Sequence, residues 1–287
     1  MGPAGVSAAI YAKRAGLNVL CLDKAMIGGY LNYIDRIDNY PGMYGISGPD
    51  LAMKLFEHIK ELEIEFKNKN VVSIVDGEVK RVVTDSEEFL SKYVIVSTGR
   101  VARKLGLDNE EELIGKGISH CALCDGAFYK GKVIAVVGGG NSALQEALHL
   151  SNICEKVYLI HRGNEFKAVG TIVDKINEKE NIVKIMKTNV VGLEKEENKL
   201  KTILLDSGDE LEISGLFVYI GFEPGTQFAK DLNITDDIGY ILVNNEYETK
   251  VKNIYAVGDI IKKKVYQVST AVGEGATAAI NIIEKCK

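Results

Sequence analysis

A glycine-rich turn between a predicted strand and a predicted helix constrains this chain more than any other feature. An apolar strand pattern at 132–137 leads into Gly138-Gly139-Gly140-Asn141-Ser142-Ala143, and a helix pattern and a second strand at 157–160 follow. This order predicts a βαβ unit, in which backbone N–H groups and the helix N-terminus can approach a pyrophosphate. The spacing of Gly138, Gly140 and Ala143 fits the G-x-G-x-x-A dinucleotide pattern. A tight turn in an ordinary α/β domain is the alternative.

A second turn of this kind stands at the start of the chain. Gly2 and Gly5 precede an alanine-rich helix pattern, and a short apolar strand at 19–22 ends at Asp23. The motif's first glycine and the strand before it are missing, and that strand would be buried on both faces of a parallel sheet. Losing about five or six apolar side chains, at ~1.5–3 kcal/mol each, exceeds the ~5–15 kcal/mol stability of a typical domain. We therefore expect a natural reading frame that starts before Met1, and an intact mass would test this.

The residues that follow the second strand of each unit indicate which ribose the unit binds. Asp23 is a carboxylate suited to a free 2′-hydroxyl, as in FAD or NAD. The corresponding stretch of the second unit is His161-Arg162-Gly163, with Lys167 beyond it, so that base replaces acid. This exchange favours the 2′-phosphate of NADP. A solvated basic turn is the alternative.

The two units are predicted to be nested. A strand at 254–257 runs into Gly258-Asp259 and resembles the closing strand of an FAD domain. The expected fold class is α/β, with two Rossmann-like (FAD/NAD(P)-binding) three-layer domains, one inserted into the other. A discontinuous FAD-binding domain would span 1–103 and 220–287, and an NAD(P)H-binding domain at 104–219 would carry the cysteine pair described next. Helix patterns also lie at 49–62 and 269–285.

The sequence His120-Cys121-Ala122-Leu123-Cys124-Asp125-Gly126 carries the sharpest chemical signal. A C-x-x-C pair at a helix start can close a reversible disulfide, and a helix N-terminus stabilises the thiolate. The carboxylate of Asp125 beside such a centre can carry a proton. Zinc is one alternative, with His120 as a third ligand, but a second cysteine or histidine pair is absent from the sequence. A purely structural disulfide is the other alternative.

Composition narrows the partners and the compartment. The net charge of −5 over 287 residues argues against nucleic acid. No apolar run approaches the ~18 residues of a membrane helix, and no signal-peptide pattern opens the chain. Five cysteines in such a chain predict a cytoplasmic protein in which C-x-x-C is catalytic or metal-binding rather than part of a disulfide framework. Cys21, Cys154 and Cys286 are expected to have no chemical role.

Together these residues resemble the low-molecular-weight (bacterial-type) thioredoxin reductases, a group of class II pyridine nucleotide-disulfide oxidoreductases, along nearly the whole chain. Further matching stretches are Asp38-Asn39-Tyr40-Pro41-Gly42, Ser97-Thr98-Gly99 and Gln267 through Gly275. The resemblance implies a thioredoxin-disulfide reductase in which electrons pass from NADPH through FAD to the Cys121–Cys124 disulfide. The final acceptor would be thioredoxin or a thioredoxin-like protein, and the enzyme would be a homodimer.

The resemblance also implies which residues hold the two cofactors. Gly2 and Gly5 would face the FAD pyrophosphate, while Asn39, Asp259 and Gln267 would hold its ribityl and isoalloxazine part. The full FAD set would be Gly2, Pro3, Ala4, Gly5, Asp23, Gly28, Gly29, Asn39, Thr98, Gly99, Gly258, Asp259, Gln267 and Val268. The NADPH set would be Gly138, Gly140, Asn141, Ser142, Ala143, His161, Arg162 and Lys167.

The redox centre would divide its work between two sulfurs. By resemblance, Cys124 would be the sulfur nearer the flavin and Cys121 would attack the disulfide of thioredoxin. Asp125 would donate or accept the proton. In this family the inserted domain rotates, so that nicotinamide and disulfide take turns at the flavin. No metal is expected.

Departures from the family pattern leave the electron donor open. The family's H-R-R-x-x-x-R motif has Gly163 and Lys167 in place of two arginines, which forfeits bidentate phosphate contacts. Tyr30 replaces a glutamine, and Tyr266 replaces an arginine. NADH or ferredoxin is therefore an alternative donor. A non-catalytic flavin- or nucleotide-binding sensor is the alternative outside enzymes.

Overall fold

The computed structural model describes residues 1–34 and 36–287 and divides the chain into two compact units. The discontinuous unit comprises Met1–Val101 and Glu223–Lys287, and the inserted unit comprises Ala102–Phe222. The domain limits expected at 103 and 220 lie a few residues from these bounds. Each unit is described by itself below.

Helices and strands alternate through most of the chain. The helices are α1 Pro3–Arg14, α2 Gly48–Glu61, α3 Glu110–Leu113, α4 Ala122–Asp125, α5 Asn141–Ser151, α6 Gly170–Asn177 and α7 Val268–Lys285. The strands are β1 Leu20–Asp23, β2 Glu65–Asn68, β3 Val71–Val75, β4 Lys80–Thr84, β5 Glu88–Ser91, β6 Val94–Val96, β7 Arg100–Ala102, β8 Ile118–Ser119, β9 Val133–Val137, β10 Lys156–His161, β11 Ile182–Met186, β12 Val190–Glu196, β13 Lys199–Leu205, β14 Glu210–Glu212, β15 Gly215–Val218, β16 Phe222–Pro224 and β17 Ile254–Ala256. The helices predicted at 49–62 and 269–285 are confirmed by α2 and α7. None of the helices in the described part of the chain is long and apolar enough to cross a membrane.

A five-stranded parallel sheet forms the centre of the inserted unit, in the order β11–β10–β9–β15–β8. Its middle strand β9 is apolar throughout because both of its faces are covered. On one face, Ile134 and Val136 pack against α5. On the other face, Ala135 packs with Leu193 and Ile203 of the antiparallel sheet β12–β13–β14. These three layers agree with the predicted α/β fold class.

The parallel sheet places two sequence motifs at the same edge. The glycine turn at 138–143 follows the carboxyl end of β9, and the cysteine pair follows the carboxyl end of β8. Strand β15 lies between these two strands and runs parallel to both. Since ligands of open α/β sheets bind at the carboxyl ends of the strands, both motifs lie on the functional edge of this unit.

The discontinuous unit contains two parallel strand pairs, β1–β2 and β6–β17, and the antiparallel sheet β3–β4–β5. Helix α1 packs closely along α7. The absence of a side chain at Gly275 permits this, since a Cβ there would overlap the carbonyl oxygen of Ala4. Tyr255 and Val257 share the same buried core with Ala4 and Ala278. The helix that follows the first glycine turn is therefore packed against the second segment of this unit.

A cavity of about 850 Å³ lies within the discontinuous unit. Its lining includes Leu20 and Leu22 of β1 and Val94 and Val96 of β6. Among the described residues, β1 pairs with β2 alone and β6 with β17 alone. The unit thus has two separate parallel strand pairs rather than one continuous parallel sheet.

Candidate functional site

The cysteine pair forms a disulfide at the start of a one-turn helix. Cys121 is the N-cap residue of α4, and its Cα lies 5.3 Å from that of Cys124. The Cys124 backbone N–H donates a hydrogen bond of 3.0 Å to the Cys121 Sγ. Cys121 is 4 % exposed, whereas Cys124 is exposed. The two sulfurs therefore differ in access to solvent, although they belong to one small ring.

Asp125 is held beside the disulfide by a residue that sequence reasoning missed. The buried Ser119 hydroxyl donates a 2.6 Å hydrogen bond to Asp125 Oδ2. The Asp125 backbone N–H donates to the Cys121 carbonyl oxygen at 3.1 Å. Burial and the nearby Asp125 carboxylate both raise the pKa of the Tyr129 phenol. The S-x-C-x-x-C-D spacing was the available signal, because a serine at a strand end can reach the next turn.

The hydrogen bond of His120 gives the zinc alternative no support. Its Nδ1 lies 3.2 Å from the carbonyl oxygen of Val218 on β15. Over residues 1–34 and 36–287, no group of three histidine, cysteine, aspartate or glutamate side chains has the arrangement of a metal site. The geometry around the cysteine pair is that of a disulfide centre.

The glycine turn of the inserted unit has the shape that a dinucleotide requires. Gly138 has a φ of +149°, and a Cβ there would overlap the Tyr219 carbonyl oxygen and lie 2.7 Å from the Ala143 side chain. Gly140 is the N-cap of α5, and a Cβ built on it meets no atom of the described structure within 4 Å. The turn is therefore tight where the backbone packs and open where the first N–H groups of α5 point outward. Asn141 and Ser142 are exposed in this first helical turn.

A basic segment folds over this turn. The Lys167 backbone N–H donates to the Gly139 carbonyl oxygen at 2.7 Å, and the Val169 N–H donates to Asn141 Oδ1 at 2.8 Å. These two bonds bring the backbone of Lys167 to the turn, and the side chains of Lys167 and of Arg162 are exposed. The segment fits a phosphate-bearing dinucleotide at this position.

His161 lies beneath the glycine turn rather than beside it. Its side chain is buried, and a Cβ at Gly139 would overlap the imidazole ring. Its Nε2 donates to the Glu165 carbonyl oxygen at 3.1 Å. Burial lowers the pKa of this imidazole, so the ring is neutral near pH 7. In this position His161 supports the turn and does not present a cation.

The predicted FAD residues near the start of the chain converge on the N-terminus of α1. Gly2 is the N-cap of this 12-residue helix, and Pro3 occupies its first position. A Cβ at Gly5 would overlap the Ser97 hydroxyl, which lies next to Thr98 and Gly99. The Gly28 N–H donates to the Met1 carbonyl oxygen at 2.8 Å, which brings the Gly28-Gly29 turn to the same place. Open helix N–H groups surrounded by small residues fit a pyrophosphate.

Asp23 ends β1 beside this helix terminus. One of its carboxylate oxygens accepts a hydrogen bond from the Ala25 N–H at 2.9 Å, and the other contacts the Met1 amino group. The location of Asp23 at a strand end next to the glycine turn fits a ribose-binding carboxylate.

Two residues predicted to hold the flavin meet although 228 positions separate them. The Asn39 Nδ2 donates to Gln267 Oε1 at 2.9 Å. Gln267 is also the N-cap of α7, whose first residue is Val268. Tertiary contact therefore builds an amide pair of the kind that can read the polar edge of a planar ring.

Asp259 lies in a charged cluster whose other members were missed. Arg100 donates to its Oδ2 at 2.9 Å, and the Lys263 ammonium lies 3.5 Å from its Oδ1. The buried Glu274 accepts from Lys263 at 2.9 Å and from the Gly258 N–H at 2.8 Å. The Arg100 guanidinium lies 4.3 Å from the centroid of the Tyr266 ring. The cluster fixes the turn that carries Gly258 and Asp259, and only the fold reveals it.

Comparison with known proteins places this arrangement among flavoprotein disulfide reductases. The model of the pyridine nucleotide-disulphide oxidoreductase family matches residues 1–275. A thioredoxin reductase of Bacillus subtilis is 38% identical over 287 residues, covering 98% of this chain and 91% of the relative. The Lactococcus lactis thioredoxin reductase structure is 36% identical, with a TM-score of 0.88 over 99% of this chain and 95% of that one. A ferredoxin-flavin thioredoxin reductase structure from Clostridium acetobutylicum is 32% identical, with a TM-score of 0.55 over 99% of this chain and 95% of that one. The chain belongs to the pyridine nucleotide-disulphide oxidoreductase family.

Proposed function

We propose that this chain is a thioredoxin-disulfide reductase that uses NADPH and FAD. One observation carries the proposal: a C-x-x-C disulfide with a tethered aspartate lies at the same sheet edge as a dinucleotide turn. A structural disulfide would not need a carboxylate held beside it. A simple nucleotide-binding domain would not need the disulfide.

The discontinuous unit would hold FAD through the N-terminus of α1 and the polar residues gathered near it. Gly2 to Gly5 would receive the pyrophosphate, Asp23 the adenosine ribose, and Asn39 with Gln267 the ring edge. FAD, when bound, would supply two-electron transfer between a nicotinamide and the disulfide. The protein's own contribution is to orient these groups and to keep the Asp259 carboxylate neutralised by Arg100 and Lys263.

The two sulfurs would act in sequence. The exposed Cys124 suits the sulfur that first receives electrons, and the Cys124 N–H aimed at Cys121 Sγ would stabilise a thiolate on Cys121. That thiolate would attack the disulfide of thioredoxin, and Asp125 would carry the accompanying proton. Because Cys121 is buried here, its attack on a protein disulfide requires a change that exposes it.

The choice of donor depends on the basic segment. Lys167 is exposed and bonded to the glycine turn through its backbone, Arg162 is exposed, and both cations favour a 2′-phosphate over a free hydroxyl. Gly163 removes one guanidinium from this set, so the preference for NADPH over NADH is expected to be modest. Ferredoxin is the alternative donor, but the ferredoxin-flavin thioredoxin reductase structure is less similar to this chain, with a TM-score of 0.55, than the Lactococcus lactis thioredoxin reductase, with a TM-score of 0.88.

Anaerobic titration of the flavoprotein tests the proposal. NADPH is expected to bleach the flavin, NADH to do so at higher concentration, and oxidised thioredoxin to restore the colour. Bleaching by reduced ferredoxin alone would replace the donor but keep the disulfide chemistry. Cys121→Ser is expected to abolish thioredoxin reduction while flavin bleaching persists. A protein that reduces no thioredoxin and keeps its ligand response in this variant would instead be a ligand-binding sensor. Light scattering would test the expected homodimer.

A further inference from the structure

Ser119 is a buried side chain that the mechanism above does not yet use. It ends β8, two residues before Cys121, and is 5 % exposed. A hydroxyl has one proton to donate and two lone pairs that accept, so burial makes each of its partners significant.

The contacts of the Ser119 hydroxyl fix the direction of its proton. The Cys121 N–H donates to Ser119 Oγ at 3.0 Å, which occupies one lone pair. Two acceptors are in reach: Asp125 Oδ2 at 2.6 Å and the Cys121 carbonyl oxygen at 3.3 Å. The hydroxyl donates its hydrogen bond to the Asp125 carboxylate, because that contact is shorter and charge-assisted.

One hydroxyl thus joins the aspartate to the backbone of the first cysteine. The Asp125 N–H bond to the Cys121 carbonyl oxygen, at 3.1 Å, holds the same turn through the main chain. Without the hydroxyl, the carboxylate would be free to change rotamer, and the buried Cys121 N–H would lose its acceptor.

We propose that Ser119 is a positioning residue for Asp125: its hydroxyl occupies Oδ2, so that Oδ1 is the oxygen that exchanges a proton with the sulfur centre. The proposal rests on the role given to Asp125 in the proposed function. In the complete step, the Cys121–Cys124 dithiol passes two electrons and two protons to thioredoxin and becomes a disulfide. Asp125 takes one proton from a cysteine thiol and gives it to the leaving thiolate of thioredoxin. Ser119 keeps its own proton throughout.

Rapid mixing of photoreduced holoenzyme with oxidised thioredoxin tests this role without a nicotinamide. We expect Ser119→Ala to slow flavin reoxidation about tenfold, within the range of general acid–base effects. Its pH profile should shift from that of the wild type, because the carboxylate that carries the proton is no longer held by the hydroxyl. Ser119→Thr, which keeps the hydroxyl, should stay within about twofold of the wild type at each pH.

Ser151→Ala is the matched control. Ser151 is also buried in the inserted unit, and its hydroxyl donates to the Leu148 carbonyl oxygen at 2.8 Å, away from the cysteines. Ser151→Ala should lower thermal stability as the loss of any buried hydroxyl does. Its rate of flavin reoxidation and its pH profile should be those of the wild type. A Ser119→Ala enzyme that loses rate without a shift of its pH profile, as a general packing defect would, overturns the proposal.

Asp125→Asn distinguishes the role of Ser119 from the role of Asp125. If Asp125→Asn is slow and adding Ser119→Ala slows it no further, the serine acts through the aspartate. If Asp125→Asn is slow while Ser119→Ala matches the wild type, the serine proposal fails and the role of Asp125 stands. If Asp125→Asn itself matches the wild type, the proton-carrier role fails, and the serine proposal fails with it.

Discussion

Burial decides which cysteines of this chain can react. Cys21 packs in the core around β1 and Cys154 in the core around α5, and burial raises the pKa of each thiol to about 11. Cys286 is exposed near the end of the chain. The environments of Cys21 and Cys154 agree with the expectation that these two thiols lack a chemical role, because a protonated buried thiol is a poor nucleophile.

Thiol titration of the native, oxidised protein tests this distribution. Only Cys286 is expected to react rapidly with an aromatic disulfide reagent at pH 8, and the two buried thiols should react after denaturation. Cys286→Ser should remove the rapid phase. A second rapid equivalent that survives this substitution would mean that Cys21 or Cys154 is reachable in the native state.

His161 links the pH dependence of stability to the nucleotide turn. Burial lowers the pKa of its imidazole, so the unfolded chain takes up the proton first as pH falls below about 6.5. The stabilisation by neutral His161 is therefore complete above about pH 6.5. It is lost as the pH falls toward the lower pKa that the imidazole has in the folded protein. We expect urea midpoints of wild type to fall more steeply from pH 7 to pH 5 than those of His161→Gln. Urea midpoints that fall equally with pH in the wild type and in His161→Gln would contradict this.

At the scale of elements, the glycine turn after β9 has one glycine that the fold requires and another that leaves room for a ligand. Gly138 is tight against the backbone of the same unit, whereas Gly140 faces open space. The two positions of one motif therefore have different reasons to lack a side chain: the first serves the turn, and the second serves the ligand.

A pair of alanine variants tests this separation. Gly138→Ala should destabilise the inserted unit by about 1–3 kcal/mol, because the methyl group overlaps the backbone at a positive φ. Gly140→Ala should unfold as the wild type does but bind NADPH about tenfold or more weakly, because its methyl group enters the phosphate space. Calorimetry of unfolding and of NADPH binding measures both. A Gly140→Ala protein with unchanged affinity would move the pyrophosphate elsewhere.

At the scale of the whole molecule, the inserted unit is a continuous stretch of chain with its own core. Both faces of its parallel sheet are covered by residues of the same stretch, from Leu105 to Ile220. The discontinuous unit needs both of its segments, since α1 packs on α7. Their autonomy should therefore differ.

Expression of residues 102–222 alone tests that difference. The fragment is expected to unfold cooperatively, to bind NADPH and to form the Cys121–Cys124 disulfide reversibly. Residues 1–101 alone should not fold, because α1 would lack its helical partner. Non-cooperative unfolding of the 102–222 fragment would show that its core depends on the other unit.

Much of the fold could be predicted because its signals are local. The order strand, glycine turn, helix and strand around Gly138 depends on neighbours in sequence, and so do the limits of α2 and α7. The cluster of Arg100, Lys263 and Glu274 around Asp259 could not be predicted, because charged residues far apart in sequence carry no mark of their partner. His161 shows the same limit: its place in a basic motif indicated a phosphate contact, while packing put the ring beneath the turn.

The sequence by itself determined the α/β class, the two glycine turns and the C-x-x-C-D centre, since backbone geometry and short-range spacing specify these features. Only the tertiary structure decided that Ser119 holds Asp125, that Asn39 meets Gln267, and that Cys121 is buried while Cys124 is exposed. The physical reason is that burial and hydrogen bonding between distant residues depend on how whole elements pack. Spacing along the chain specifies a reactive pair, whereas packing specifies which of its atoms can react.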